Sequence, residues 1–226
     1  MVTYITKSSV CGLFEKWNIN MSQLNNRLSS DERRKAILAV ASELFFELGY
    51  AATSIDAIID KVGGSKRSIY TEFGNKEGLF KALVNDCASE MMAAMSIPAS
   101  EEQKLEPLMR QLGLRLLELY SRPQMLVMYR TALQESQRFP ELGQLFFEQG
   151  PKRAVQQLAQ LLEAAAKRGE LREIDCHLAA EHFVGTLRDN LYFKVALGLR
   201  QPLTGSEREV LVASIVDIFL GGILKH

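Results

Sequence analysis

Lys66, Arg67, Ser68, Tyr70 and Thr71 crowd into six consecutive positions of the sequence. Ammonium, guanidinium and hydroxyl groups are the donors that meet phosphate oxygens and base edges, and a tyrosine adds a flat face with a polar tip. Such chemistry requires an element that presents these side chains together. Ser65 is placed to cap a short helix over about 66–72, and Ile69 and Phe73, four apart, give it an apolar anchor. Just upstream, Ile55, Ile58 and Ile59 recur at helical spacing, and Thr53 with Asp56 has the spacing of a capping box. Gly63 and Gly64 separate the two segments, since glycine accepts the positive φ of a sharp helix exit. Two short helices around a glycine turn have the layout of a helix-turn-helix, the first bracing and the second entering a major groove. On spacing alone, a surface helical hairpin fits equally well.

Other chemistries find little footing. The chain has 226 residues, 47% of them hydrophobic, enough for a small and a medium domain with real cores. Its 27 basic and 27 acidic residues cancel, so any hold on nucleic acid must come from a few local cations. Lys61, Lys66, Arg67 and Lys76 are the ones near the turn. No GxSxG, HExxH, GxGxxG or Walker-A spacing occurs. His177 and His182 are five apart, which does not place them side by side on a helix, and His226 is remote. Cys11, Cys87 and Cys176 are scattered, as expected of free thiols in a reducing compartment. Residues 1–20 lack the apolar run of a signal peptide, and no stretch approaches a membrane span.

The elements around the turn read as helices throughout, giving an all-α fold. Residues 1–27 are expected to be a flexible, slightly basic extension. Ser29 and Glu32 form a capping box for a helix whose apolar face is Ile37, Ala41, Leu44, Phe45 and Leu48, ending at Gly49. Asn75 caps a helix running to about Ser96, with Lys76 and free N–H groups at its start forming a phosphate site. Pro98 closes it. Leu108, Leu112, Leu116 and Leu119 mark the next helix, and Ser121 with Gln124 has capping-box spacing before Pro123. Pro140 and Gly150-Pro151 divide the following segments. Asp175 is expected to cap one long helix to about Leu197, and Thr204 with Glu207 to open the last.

Residues 41–84 resemble the DNA-binding domain of the TetR family of bacterial transcriptional regulators. The resemblance is carried by Leu44-Phe45, Gly49-Tyr50, Thr53-Ser54, Ile58, Gly63, Ser65-Lys66, Ile69-Tyr70, Phe73, Lys76 and Leu79-Phe80. Residues 101–226 also resemble the regulatory half of AcrR-like members, through Arg138-Phe139-Pro140-Glu141-Leu142, Gly150-Pro151-Lys152-Arg153 and Ala166-Lys167-Arg168-Gly169-Glu170-Leu171. Three departures stand out. Gly64 replaces an apolar turn residue, Arg67 stands where a small residue is common, and Glu72 stands where histidine is common, repulsive to phosphate unless it reads a cytosine or pairs with Lys66 or Arg67.

The resemblance implies an extension over 1–27, a three-helix DNA head over 28–85 and a ligand-binding and dimerisation domain over 86–226. Its DNA contacts would come from Thr53, Ser54, Ser65, Lys66, Arg67, Ser68, Tyr70, Thr71 and Lys76. It further implies a cavity lined by Met125, Met128, Tyr129, Phe139, Phe146, Phe147, Phe183, Arg188 and Tyr192, residues that singly read as ordinary core. Tyr129, Arg130, Arg188 and Asn190 could orient a ligand, while Arg188 with Asp189 serves equally well as an ion pair. The expected protein is a cytoplasmic homodimer without cofactor or catalysis. It would bind a palindromic double-stranded operator with half-sites about 34 Å, or a multiple, apart, and be released by a small apolar or aromatic effector. The alternative is a relative that keeps the fold and has lost operator binding.

Overall fold

The structure, a computed structural model, describes residues 29–96, 104–188 and 190–225, and the side chains of Asn190 and Leu191 are not among them. The expectations for residues 1–27, Cys11, Pro98, Asp189, His226 and the side chain of Asn190 fall outside those residues.

Eleven helices make up the described residues: α1 (Ser30–Leu48), α2 (Ile55–Val62), α3 (Lys66–Phe73), α4 (Lys76–Met95), α5 (Leu105–Tyr120), α6 (Pro123–Glu135), α7 (Pro140–Gln149), α8 (Pro151–Lys167), α9 (Cys176–Thr186), α10 (Asn190–Ala196) and α11 (Gly205–Ile223). The all-α expectation holds, with one isolated bridge between Leu171 and Leu224. Local signals set many of the ends. Ser29 and Glu32 form the reciprocal cap of α1, Thr204 and Glu207 that of α11, and Asp175 accepts from the N–H groups of His177 and Leu178. Ser121 differs from its expected role. Its hydroxyl donates back to Leu117 O at 2.7 Å, so it closes α5 and does not open α6.

The chain divides into two compact units: residues 1–87 with 123–146, and residues 88–122 with 147–226. The division differs from a cut at 85/86, because α6 and the first part of α7 pack with the helix-turn-helix. One apolar cluster explains this. Ile37, Ala41, Leu44 and Phe45 of α1, Ile58 of α2, Ile69 and Phe73 of α3, and Leu79, Phe80 and Leu83 of α4 share it with Met128 and Leu142. Tyr50 sits at its centre, 5.2 Å from the Phe45 ring and edge-on to Phe80 (5.7 Å) and Phe139 (5.2 Å). Such aromatic pairs add about 0.5–1.5 kcal/mol each beyond their burial.

In the second unit α5 packs on α11 and α8 on α9. Leu108, Leu112, Leu116 and Leu119 are all buried, as their spacing predicts. Gly113 lets α5 approach α11: a Cβ there would stand 2.9 Å from Val212 Cγ1. The helix expected over 175–197 is two helices, α9 and α10. Gly185 and Thr186 precede the break, and the Thr186 hydroxyl back-bonds to His182 O at 2.7 Å. Both residues weaken a helix interior, while Leu187 is fully buried just beyond it.

Candidate nucleic-acid interface

The α2–α3 pair forms around its glycine turn. The cap of α2 is Ser54, whose Oγ accepts from Ala57 N at 3.1 Å. Thr53 does not make the expected capping box. It is 2% exposed, and its hydroxyl reaches Gly49 O (2.8 Å) and Leu44 O (3.0 Å), which removes its side chain from any DNA-facing surface. Gly63 (φ +81°) and Gly64 (φ +101°) reverse the chain, with Gly63 N donating to Ile59 O. Ser65 then caps α3 by accepting from Ser68 N at 3.3 Å. Ser54 and Ser65 accept the caps through oxygen, so each retains its own hydroxyl proton for a phosphate.

Ile69 and Phe73 hold α3 to the core. Arg67 and Thr71 are exposed with no side-chain partner among the described residues, and Tyr70 is 49% exposed. Lys66 is tied to Asp56 of α2 at 2.7 Å, which pushes its ammonium pKa up. Both groups are exposed, and solvent screens such pairs, so a phosphate can replace Asp56 at small cost. The Ser68 proton is spent: its hydroxyl donates to Ser65 O at 2.7 Å and accepts from Arg33 Nη2 at 3.1 Å.

Lys76 is used otherwise than expected. Its ammonium donates to Tyr50 O (2.7 Å), Thr53 O (3.0 Å) and Ala51 O (3.1 Å), and lies 4.5 Å from the centroid of the Tyr50 ring. All three protons are engaged, so it staples the loop between α1 and α2 and is not a free phosphate ligand. Burial lowers its pKa, opposed by Glu135. Glu135, from α6, is 6% exposed and accepts from Ala51 N at 3.5 Å in the same loop. Lys61 is committed to Glu43 and Glu47 of α1. Glu72 pairs with neither Lys66 nor Arg67. Arg34 of α1 holds it at 3.6 Å while also meeting Asp86 and the face of Phe73. Sequence spacing carries no signal for Arg33, Arg34 or Glu135, whose partners lie tens of residues away.

The nine residues expected to line one cavity divide between the units. Met125, Met128, Tyr129, Phe139 and Phe146 belong to the unit holding the helix-turn-helix, where Met128 joins its core and Tyr129 lies 6.2 Å from Phe146. Phe147, Phe183, Arg188 and Tyr192 belong to the other. There Phe147 is exposed, and Phe183 is buried against Phe219 at 5.0 Å. Arg188 lies 4.8 Å over the ring of Tyr120, whose centroid is 5.8 Å from that of Tyr192. The Tyr120 hydroxyl is buried without a partner among the described residues.

The fold and the donor-bearing α3 define a helix-turn-helix transcriptional regulator. Family models match at both ends of the chain: that of the bacterial regulatory proteins of the tetR family over residues 37–83, and that of the AefR-like transcriptional repressor C-terminal domain over 107–222. The chain belongs to the TetR family. It is 35% identical over 95 residues to the HTH-type transcriptional activator FasR of Mycolicibacterium smegmatis, covering 40% of this chain and 43% of FasR. It is 42% identical over 52 residues to the HTH-type transcriptional repressor ComR of Escherichia coli, covering 23% of this chain and 25% of ComR. Each match thus spans less than half of the relative. Among solved structures it resembles the flavonoid-responsive regulator FrrA, at 29% identity and a TM-score of 0.72 over 87% of this chain and all of that one. A protein described as a TetR-family regulator from Mesorhizobium loti follows at 25% and 0.70, over 88% of this chain and all of that one. These relatives are regulators of transcription, not enzymes.

Proposed function

We propose that this TetR-family regulator represses transcription in the cytoplasm as a homodimer on a palindromic operator, and that a small apolar or aromatic effector releases it. The observation that carries DNA reading is α3 itself: Arg67, Tyr70 and Thr71 are exposed on a helix whose opposite face is locked by Ile69 and Phe73. The alternative, a relative that has lost operator binding, draws on Gly64 and Glu72, the two departures that could disturb the helix-turn-helix. Arg34 reaches Glu72 at 3.6 Å and Arg33 occupies the space beside Gly64, which supports the DNA-binding reading over that alternative.

Dimer formation is supported by apolar side chains left uncovered on the second unit. Leu178 of α9, Phe193 of α10 and, on α11, Val210 (72% exposed) and Ile218 (76% exposed) are large apolar side chains that a second copy could cover. Two heads on a two-fold axis turn one weak half-site into a specific operator. An aromatic effector is supported by the aromatic and methionine content of α6 and α7, by the buried Tyr120 hydroxyl, and by the likeness to a flavonoid-responsive protein. The effector acts by preferring one dimer geometry, and its differential affinity limits the shift.

Selection of duplexes from genomic fragments by the purified full-length chain tests this reading. Recovery of one or a few palindromes, released by an aromatic compound from a screened series, is the expected result. No retained sequence at low salt would replace it with the ligand-binding alternative.

A further inference from the structure

Arg33 lies in the first turn of α1, yet its side chain ends on the glycine turn of the helix-turn-helix. A Cβ on Gly64 would fall on its Nη2 and stand 3.2 Å from its Cζ. That Nη2 donates to Ser68 Oγ at 3.1 Å. Ser68 Oγ donates in turn to Ser65 O at 2.7 Å, and Ser68 N donates to Ser65 Oγ at 3.3 Å. The first turn of α3 is therefore a closed cycle of Ser65 and Ser68, and Arg33 is the one side chain in these contacts that ties the cycle to α1. The guanidinium occupies the space that a side chain at position 64 would take, at a residue whose φ of +101° favours glycine. Its Nε is buried without a partner among the described residues, so the group is held at some desolvation cost by this one location.

We infer that Arg33 is a positioning residue for base readout. It fixes the start of α3 through Ser68 and so sets where Arg67, one residue earlier, meets a base edge. It does not itself touch DNA. A base-reading side chain needs its support rigid to a fraction of an ångström, and α3 has two apolar anchors on eight residues and, in its first turn, the solvent-exposed Lys66–Asp56 pair beside the Arg33 contact. The inference rests on the proposed DNA binding.

The test has two parts. In the absence of DNA, amide hydrogen exchange compares the full-length chain with Arg33→Met and with Arg33→Lys, which keeps the charge and loses the planar fork. Faster exchange confined to residues 64–69 in Arg33→Met, partly restored in Arg33→Lys, is expected; unchanged exchange overturns the inference. On a duplex that the wild type selects from a random-sequence library, Arg33→Met should lose roughly tenfold of its discrimination at the base pair that depends on Arg67, a loss within the range of one bidentate contact. Its salt dependence should stay the same. Ser68→Ala should cost as much, and the double variant no more than either single one. Equal weakening on every sequence, with the salt slope reduced by about one, would make Arg33 a phosphate contact and overturn the positioning role. Selectivity unchanged in Arg33→Met removes this inference alone, whereas a wild type that selects no sequence removes the DNA-binding reading beneath it.

Discussion

At the scale of single residues, the cations near the turn are not equivalent. Arg67 has no side-chain partner among the described residues, Lys66 is lightly held by Asp56, and Lys76 is fully spent on three carbonyls. Arg67→Ala should relax base preference at one operator position by about 1–3 kcal/mol, read by binding to single-base variants; equal losses on all sequences would count against base reading. Lys76→Ala should instead destabilise the helix-turn-helix unit by about 1–3 kcal/mol in urea unfolding, with the salt slope of DNA binding unchanged, because the charge lost serves the loop and not the phosphates. Tyr50 supplies a pH signature. Burial first, then Glu77, Glu141 and Glu135, push its pKa from 10.0 up to about 12. An acid whose folded pKa is raised gives stability that is complete below the unfolded value and is lost as pH climbs toward the folded one. Stability should therefore fall between about pH 10 and 12. Tyr50→Phe keeps the ring against Phe45, Phe80 and Phe139 and should remove that part of the alkaline loss, seen as a flatter urea midpoint across this range.

At the scale of elements, close approach between helices decides more than helix propensity. The α5–α11 contact depends on Gly113, which has no room for a side chain beside Val212. Gly113→Val should cost about 1–3 kcal/mol through overpacking, measured by thermal or urea unfolding. Its effect belongs to the second unit, and the first should retain its amide protection. The capping boxes of α1 and α11 fix helix starts whatever the tertiary setting, since both partners lie within four residues. The break between α9 and α10 has the opposite character. The apolar spacing runs straight through it, and Gly185, Thr186 and the burial of Leu187 end the helix.

At the scale of the whole molecule, the proposed function depends on two copies. Val210 and Ile218 lie eight residues apart on one helix, solvent-exposed in the single chain. Ile218→Asp should shift sedimentation from dimer to monomer and reduce operator affinity by at least tenfold, while leaving the single-chain fold and its helix content intact. A variant that remains dimeric with full operator binding would place the interface elsewhere. No helix among the described residues is long and apolar enough to cross a membrane.

Sequence alone determined what short-range forces govern: an all-α chain, a glycine turn between two short helices, the caps at Ser29, Ser65, Asp175 and Thr204, the buried face of α5 and that of α1 except Leu48, which is 52% exposed. Caps and apolar stripes act over one or two turns, so four or five residues specify them. The choice between Thr53 and Ser54 as the cap of α2 was beyond that range. Either could serve locally, and Thr53 was withdrawn by bonds to Leu44 and Gly49. Long charged side chains escaped for the same reason. Lys76 closes on a loop some 25 residues earlier, Arg33 on a serine 35 residues later, and Glu72 on Arg34 of another helix. Nor does an apolar stripe say which core it joins. Met128 and Leu142 have the spacing of regulatory-domain helices, and only packing around Tyr50 assigned them to the unit of the helix-turn-helix. Periodicity fixes the face that is buried, whereas its partner is set by which surfaces, far apart in the chain, fill the same space.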